Sequence, residues 1–159
     1  MKFVCSKTVL TDIVNIVQKA IGSKTSHPIL ECIKIEASND GHVVFTANSI
    51  ELCIEYTSQI TVTEGGSIAL PSKIFGEIVR RLPDGEVTIT ADSSNYITDI
   101  ECEQSKFNIQ GMNDLEFPDV PINIYDWGID VNLKGPFYFA HAVLKQMREQ
   151  KSGIIINIG

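Results

Sequence analysis

Apolar residues recur at helical spacing twice in this chain, and each time runs of alternating apolar and polar residues follow. The first helical pattern covers Val9 to Ile21, with Val9, Leu10, Ile13, Val14, Ile16, Val17, Ala20 and Ile21 forming a wide stripe. Ser6 stands where its hydroxyl can cap the first turn, and Gly22 stands where a helix commonly closes. A short strand, Lys2–Cys5, precedes it. Strands are expected afterwards at Ile33–Ala37, Val43–Ala47 and Ile50–Thr57, the first two joined by the turn Asn39-Asp40-Gly41. In the third, Ile50, Leu52, Ile54 and Tyr56 alternate with polar neighbours or a cysteine, which predicts one face on a core and one in water.

The order then restarts. Ile60–Val62 and Ser67–Leu70 read as extended and lead into LPSKIFGEIVRRLPDG, residues 70 to 85. Pro71 suits a first helical turn, which tolerates a missing N–H. Ile74, Phe75, Ile78, Val79 and Leu82 make one apolar face, and Pro83-Asp84-Gly85 ends the helix. Strands follow at Glu86–Ala91, Tyr96–Cys102 and Lys106–Ile109. Each half is therefore strand, helix and three antiparallel strands. The expected fold class is α+β, with two helices on one face of a mostly antiparallel sheet.

Composition narrows this little: 43% hydrophobic and 21% charged residues describe a globular chain of 159 residues with room for one ordinary domain and an appendage. The N-terminus lacks a signal-peptide pattern, which leads us to expect a cytoplasmic protein. Cys5, Cys32, Cys53 and Cys102 lie far apart in strand-like runs and form no CxxC pair, so buried thiols are expected, with no metal site.

Charge changes the picture more. Over residues 1–121, nine Lys/Arg stand against seventeen Asp/Glu, a net of −8. The two helices and the loop to Lys24 hold Lys7, Lys19, Lys24, Lys73, Arg80 and Arg81 against Asp12 and Glu77, which is +4. The remainder, three bases against fifteen acids, is −12. A basic helical layer on an acidic sheet attracts a polyanion from one side; Lys and Arg are also simply good helix formers.

MKFVCSKTVL, GSKTSHPIL, SIALPSKIFGEIVRRLPDGEVTI and SKFNIQGMNDLEFPDVP resemble, in order and spacing, the N-terminal domain of the bacterial sliding clamp, the β subunit of DNA polymerase III. The resemblance runs from Met1 to about Pro121. It implies the DNA clamp fold, β-α-β-β-β halves whose helices line a ring around duplex DNA. It also implies that the chain is a DNA-replication processivity module with no active site and no cofactor. Lys24, Lys73 and Arg80 are then the candidates for sequence-independent DNA contact. Lys106, Phe107 and Ile109, on the last strand, are the candidates for the head-to-tail dimer edge against the third domain of an intact clamp. Alternation places Phe107 and Ile109 on one face without saying which. Polymerase and clamp loader are partners of the full-length family, whose peptide groove lies in later domains.

Residues 122–159 break this pattern. Phe137, Ala140, Leu144 and Met147 are helically spaced, with Pro136 expected to weaken or kink the helix. Ile154–Ile158 reads as a short apolar strand of parallel-sheet type that, without parallel neighbours, is expected to be either frayed or added to a sheet edge. DVNLKG and GIIINIG resemble pieces of a short-chain dehydrogenase, with Asn132 at its active-site asparagine. The glycine-rich cofactor loop, the serine after Gly159 and the Tyr-x-x-x-Lys of that family are missing. Three readings follow: a clamp domain of residues 1–121 with an appendage, a fragment of an NAD(P)-dependent oxidoreductase, or a truncated fusion of the two. Hydride transfer needs a cofactor clamp and a proton relay, which one asparagine cannot supply. The clamp reading is therefore preferred.

Overall fold

The computed structural model describes residues 1–22, 27–49, 52–117 and 129–156. The chain divides into two compact units, Met1–Pro118 and Asp119–Gly159. The expected boundary at 121/122 lies outside the described residues.

In the first unit the elements run β1 (Lys2–Ser6), α1 (Lys7–Val17), β2 (Cys32–Ala37), β3 (His42–Asn48), β4 (Cys53–Gln59), β5 (Thr61–Glu64), β6 (Gly66–Pro71), α2 (Ser72–Arg81), β7 (Glu86–Ala91), β8 (Ile97–Cys102) and β9 (Ser105–Gln110). The order of elements expected from the pattern is present, and the α+β architecture with it. The strands divide between two sheets, β5-β1-β7-β8-β9 and β4-β3-β2-β6, and every pairing is antiparallel. The halves exchange strands. β1, which leads into α1, pairs with β7 of the second half, and β6, which leads into α2, pairs with β2 of the first. Periodicity reports which face of a strand is buried but not which strand lies beside it, so this exchange leaves no mark in the pattern.

Local chemistry explains the ends of the elements. Ser6 Oγ accepts from the Val9 N–H at 3.3 Å and caps α1. α1 ends at Val17 and tightens into a 3-10 turn, Gln18–Ala20, earlier than the closure expected at Gly22. Pro71 is the N-cap of α2 and the last residue of β6, one place before the expected first turn. Between β2 and β3, the Gly41 N–H returns to the Ser38 carbonyl at 3.1 Å. Gly41 itself has φ +90°, a conformation glycine adopts without strain.

One core fills the space among both sheets and both helices, with Phe3, Leu10, Phe45, Phe75, Ile89 and Ile100 wholly buried. Phe3 of β1 and Phe45 of β3 meet edge to face at 6.2 Å and join the two sheets. α1 packs on β1, β3, β4 and α2, while α2 packs on β6, β9 and α1.

The apolar stripes are narrower than expected. α1 buries Leu10, Ile13, Val14 and Val17, and leaves Val9 and Ile16 exposed. At 100° per residue these two lie roughly 100° from the centre of the buried arc. Ile74 is 54% exposed for the same reason, since the buried arc of α2 is centred on Phe75, Val79 and Leu82. Leu52 and Tyr56 are also exposed, although their alternation predicted burial. β4 is an edge strand with a neighbour on one side only, and Ile50 and Glu51 lie outside the described residues.

In the second unit a π-helical turn, Asp130–Lys134, runs directly into α3, Gly135–Gln150. Pro136 was expected to weaken or kink this helix; it stands in the first turn of α3 instead, where its missing N–H is tolerated. The wider turn before it carries the helix through, with the Gly135 N–H returning to the Asp130 carbonyl. Ile154–Ile156 forms no strand, and these side chains are exposed, the first of the two expected outcomes; residues 157–159 lie outside the described residues. No helix among the described residues is long and apolar enough to cross a membrane.

Candidate nucleic-acid interface

α1 and α2 lie against each other, and a groove of about 330 Å³ opens between α2 and the segment that follows α1, lined by Gln18, Gly22, Glu31, Ser72, Lys73 and Arg80 among others. Lys73 and Arg80 are seven residues apart on α2, so they fall on one side of the helix about two turns apart. Both are exposed. Glu77 sits between them and lines the same groove. Lys19 and Arg81 are exposed as well, so most of the helical layer's positive charge stands in water.

One base of this layer, Lys7, forms an ion pair within the domain. Lys7 Nζ pairs with Asp84 Oδ1 at 3.0 Å, which ties the start of α1 to the turn after α2. Its charge is partly neutralised there. Lys24 lies outside the described residues.

β9 is the edge of its sheet, as expected. Its three candidates part company. Phe107 is 37% exposed and Ile109 only 4%, although alternation puts both on one face. Ile109 belongs to the domain's own core, which resolves the orientation the sequence left open and removes Ile109 as an accessible edge residue. Phe107 is left partly uncovered. Lys106 Nζ donates to Glu101 Oε1 at 2.7 Å, directly across the ladder. That hydrogen bond lowers the pKa of Glu101 and, with nearby Asp99, raises that of the lysine. Both groups are exposed, so the pair is screened by solvent.

The four thiols are all outside disulfides. Cys5, Cys32 and Cys102 are buried and Cys53 is exposed, so the expectation of buried thiols fails for Cys53. Its side chain is on β4, the edge strand, where alternation turns it to water. Among the described residues no group of His, Cys, Asp and Glu could hold a metal ion. Asn132 is exposed on the π-helical turn of the second unit.

Sequence reasoning missed Asn15 and Gln18. Asn15 on α1 and Gln18 in the 3-10 turn after it both accept from the Arg80 guanidinium, and Gln18 Nε2 also donates to the Ser72 carbonyl at 2.6 Å. Their position on the polar side of α1 was readable, but not that α2 lies beside it.

The fold is that of the DNA clamp. A Bacillus subtilis DNA polymerase sliding clamp superposes with a TM-score of 0.72 at 37% identity, over 76% of this chain and 33% of that one. A protein from Eubacterium rectale assigned to the DNA polymerase III beta subunit gives the same TM-score at 48% identity over the same shares. The family model for the DNA polymerase III beta subunit, N-terminal domain, matches residues 1–121, and the chain belongs to that family. Among named relatives, the Bacillus subtilis beta sliding clamp is 37% identical over 129 residues, and the Synechocystis one 32% over 127. The alignments take in 76% of this chain and 34% and 32% of those proteins, so the chain spans about a third of their length.

Proposed function

We propose that the chain acts in DNA replication as the N-terminal domain of a sliding clamp, the processivity-conferring accessory subunit of DNA polymerase III, and performs no reaction itself. The observation that carries this reading is the segregation of charge on the fold. Lys19, Lys73, Arg80 and Arg81 are exposed on two adjacent helices, while the rest of the domain is strongly acidic. Such a layer attracts phosphates without reading bases, because it offers point charges and no array aimed at base edges. Lys73 and Arg80, with Lys24, are the contacts we assign to duplex DNA.

The β9 edge is the assembly surface in this reading. Phe107 supplies apolar area, and Lys106 meets acids of the third domain of an intact clamp once it leaves Glu101. Polymerase and clamp loader engage later domains of the full-length family. The cytoplasm is where such a module works. Residues 122–159 are an appendage with no part in it.

The test is duplex binding measured against salt. About three phosphate contacts give a slope near −2.7 in log affinity against log salt, a loss of about 40-fold between 50 and 200 mM. Binding should not depend on DNA sequence. Reversing Lys24, Lys73 and Arg80 to Glu together should abolish it while the fold persists by circular dichroism. A triple reversal that binds as tightly as the unaltered chain would sink the assignment.

A further inference from the structure

Arg80 is exposed, yet its guanidinium is held. Nη1 donates to Gln18 Oε1 at 3.2 Å and to Asn15 Oδ1 at 3.4 Å, both on the neighbouring helical segment. Gln18 is fixed in turn, because its Nε2 donates to the Ser72 carbonyl at 2.6 Å. The amide therefore uses both ends, one on the backbone at the start of α2 and one on the side chain near its finish.

Gly76 makes the seat. A Cβ at residue 76 would overlap Gln18 Nε2, and the three atoms nearest to that Cβ all belong to Gln18. A glycine inside a helix costs about 1 kcal/mol relative to alanine, so this position gives up helix stability. What occupies the space is the Gln18 amide.

The acceptors on Arg80 are both uncharged. A carboxylate at residue 15 or 18 would hold the guanidinium equally well but would cancel its charge locally. Two amide oxygens engage Nη1, which among the described residues leaves Nε and Nη2 for another partner. Lys73, on the same side of α2, has no such holder among the described residues.

We propose that Gln18, seated over Gly76, is a positioning residue that holds Arg80 ordered for a phosphate without itself neutralising the guanidinium. This rests on the reading of Arg80 as a phosphate contact. Ordering a long side chain on binding costs about 0.5–1.5 kcal/mol, which is roughly two- to ten-fold in affinity. Gln18 removes that cost before DNA arrives.

The experiment titrates the full chain into a fluorescein-labelled 30-base-pair duplex of mixed sequence at several salt concentrations. The variants are Gln18→Met, Gly76→Ala, Arg80→Gln and the double variant Gln18→Met/Arg80→Gln. Arg80→Gln should lower the salt slope by about 0.9, the value of one phosphate contact. Gln18→Met should weaken binding about two- to ten-fold with the slope unchanged, since the charge remains. Gly76→Ala should do the same, although alanine is the better helix former. In the Arg80→Gln background, Gln18→Met should add nothing. A purely structural role for Gln18 would weaken binding equally in both backgrounds, and that result overturns the proposal. So does unaltered binding by Gln18→Met when Arg80→Gln is impaired. If Arg80→Gln binds like the unaltered chain, the phosphate reading itself falls.

Discussion

Thr98 is the sharpest place to test the packing that supports this surface. It lies on β8, is 0% exposed, and pairs in register with Ala91 on one side and Ile109 on the other, both buried. Its Oγ1 has no hydrogen-bond partner among the described residues. A buried hydroxyl without a partner keeps its full desolvation penalty, about 1–3 kcal/mol. Thr98→Val replaces the hydroxyl with a methyl of nearly the same shape and keeps the β-branched form that strands favour. The variant should therefore be more stable by about 1–2 kcal/mol. With a urea dependence of about 1.5 kcal/mol/M for a domain of this size, the unfolding midpoint should rise by about 1 M with an unchanged slope. Thr98→Ser is the control, because it keeps the hydroxyl and deletes the methyl. It should lose about 1 kcal/mol through the small cavity left behind. If Thr98→Val lowers the midpoint, the hydroxyl is engaged in solution and the reasoning fails.

Three further outcomes follow from the burial of α2 and of the thiols. Phe75→Ala, which empties a wholly buried site, should cost about 3–5 kcal/mol, whereas Ile74→Ala one residue earlier should stay within about 0.5 kcal/mol; calorimetric melting separates them. At pH 8 a colorimetric thiol reagent should label Cys53 quickly and the other three only on unfolding, and Cys53→Ser should remove the fast phase. Burial pushes Cys5 up to about 12 and Cys32 up to about 11 from 9.0. A raised folded value means that the unfolded chain ionises first. Stability is therefore full below pH 9 and should fall as pH climbs from there towards those values.

The repeat of helix and alternating strands was legible because period 3.6 and period 2 are properties of single segments. Val87, Ile89 and Ala91 could be placed on the core from their own spacing alone. What could not be read were the pairings between segments. Ile109 and Phe107 share a face by alternation, yet only one is buried, since cover depends on what lies above each point of an edge strand. Counting charge put Lys7 in the basic layer, although Asp84, 77 residues away in sequence, is its partner. A tally of charges carries no distances.

The same limit explains why the candidate interface itself was only half visible. Lys73 and Arg80 announce themselves by spacing, whereas their setting depends on α1 lying beside α2. That neighbourhood follows from the strand exchange. β1 delivers α1 from the sheet of the second half, and β6 delivers α2 from the sheet of the first, so the two helices start from opposite sheets and meet over one core. The contacts that hold Arg80 span 62 and 65 residues of sequence. They exist only when both sheets are complete. A half-domain would therefore keep the basic residues of α2 and lose their arrangement, because β6 would have no β2 to pair with and Arg80 no amide to rest on. Charge composition is a property of the segment, but the ordered guanidinium is a property of the whole exchanged fold.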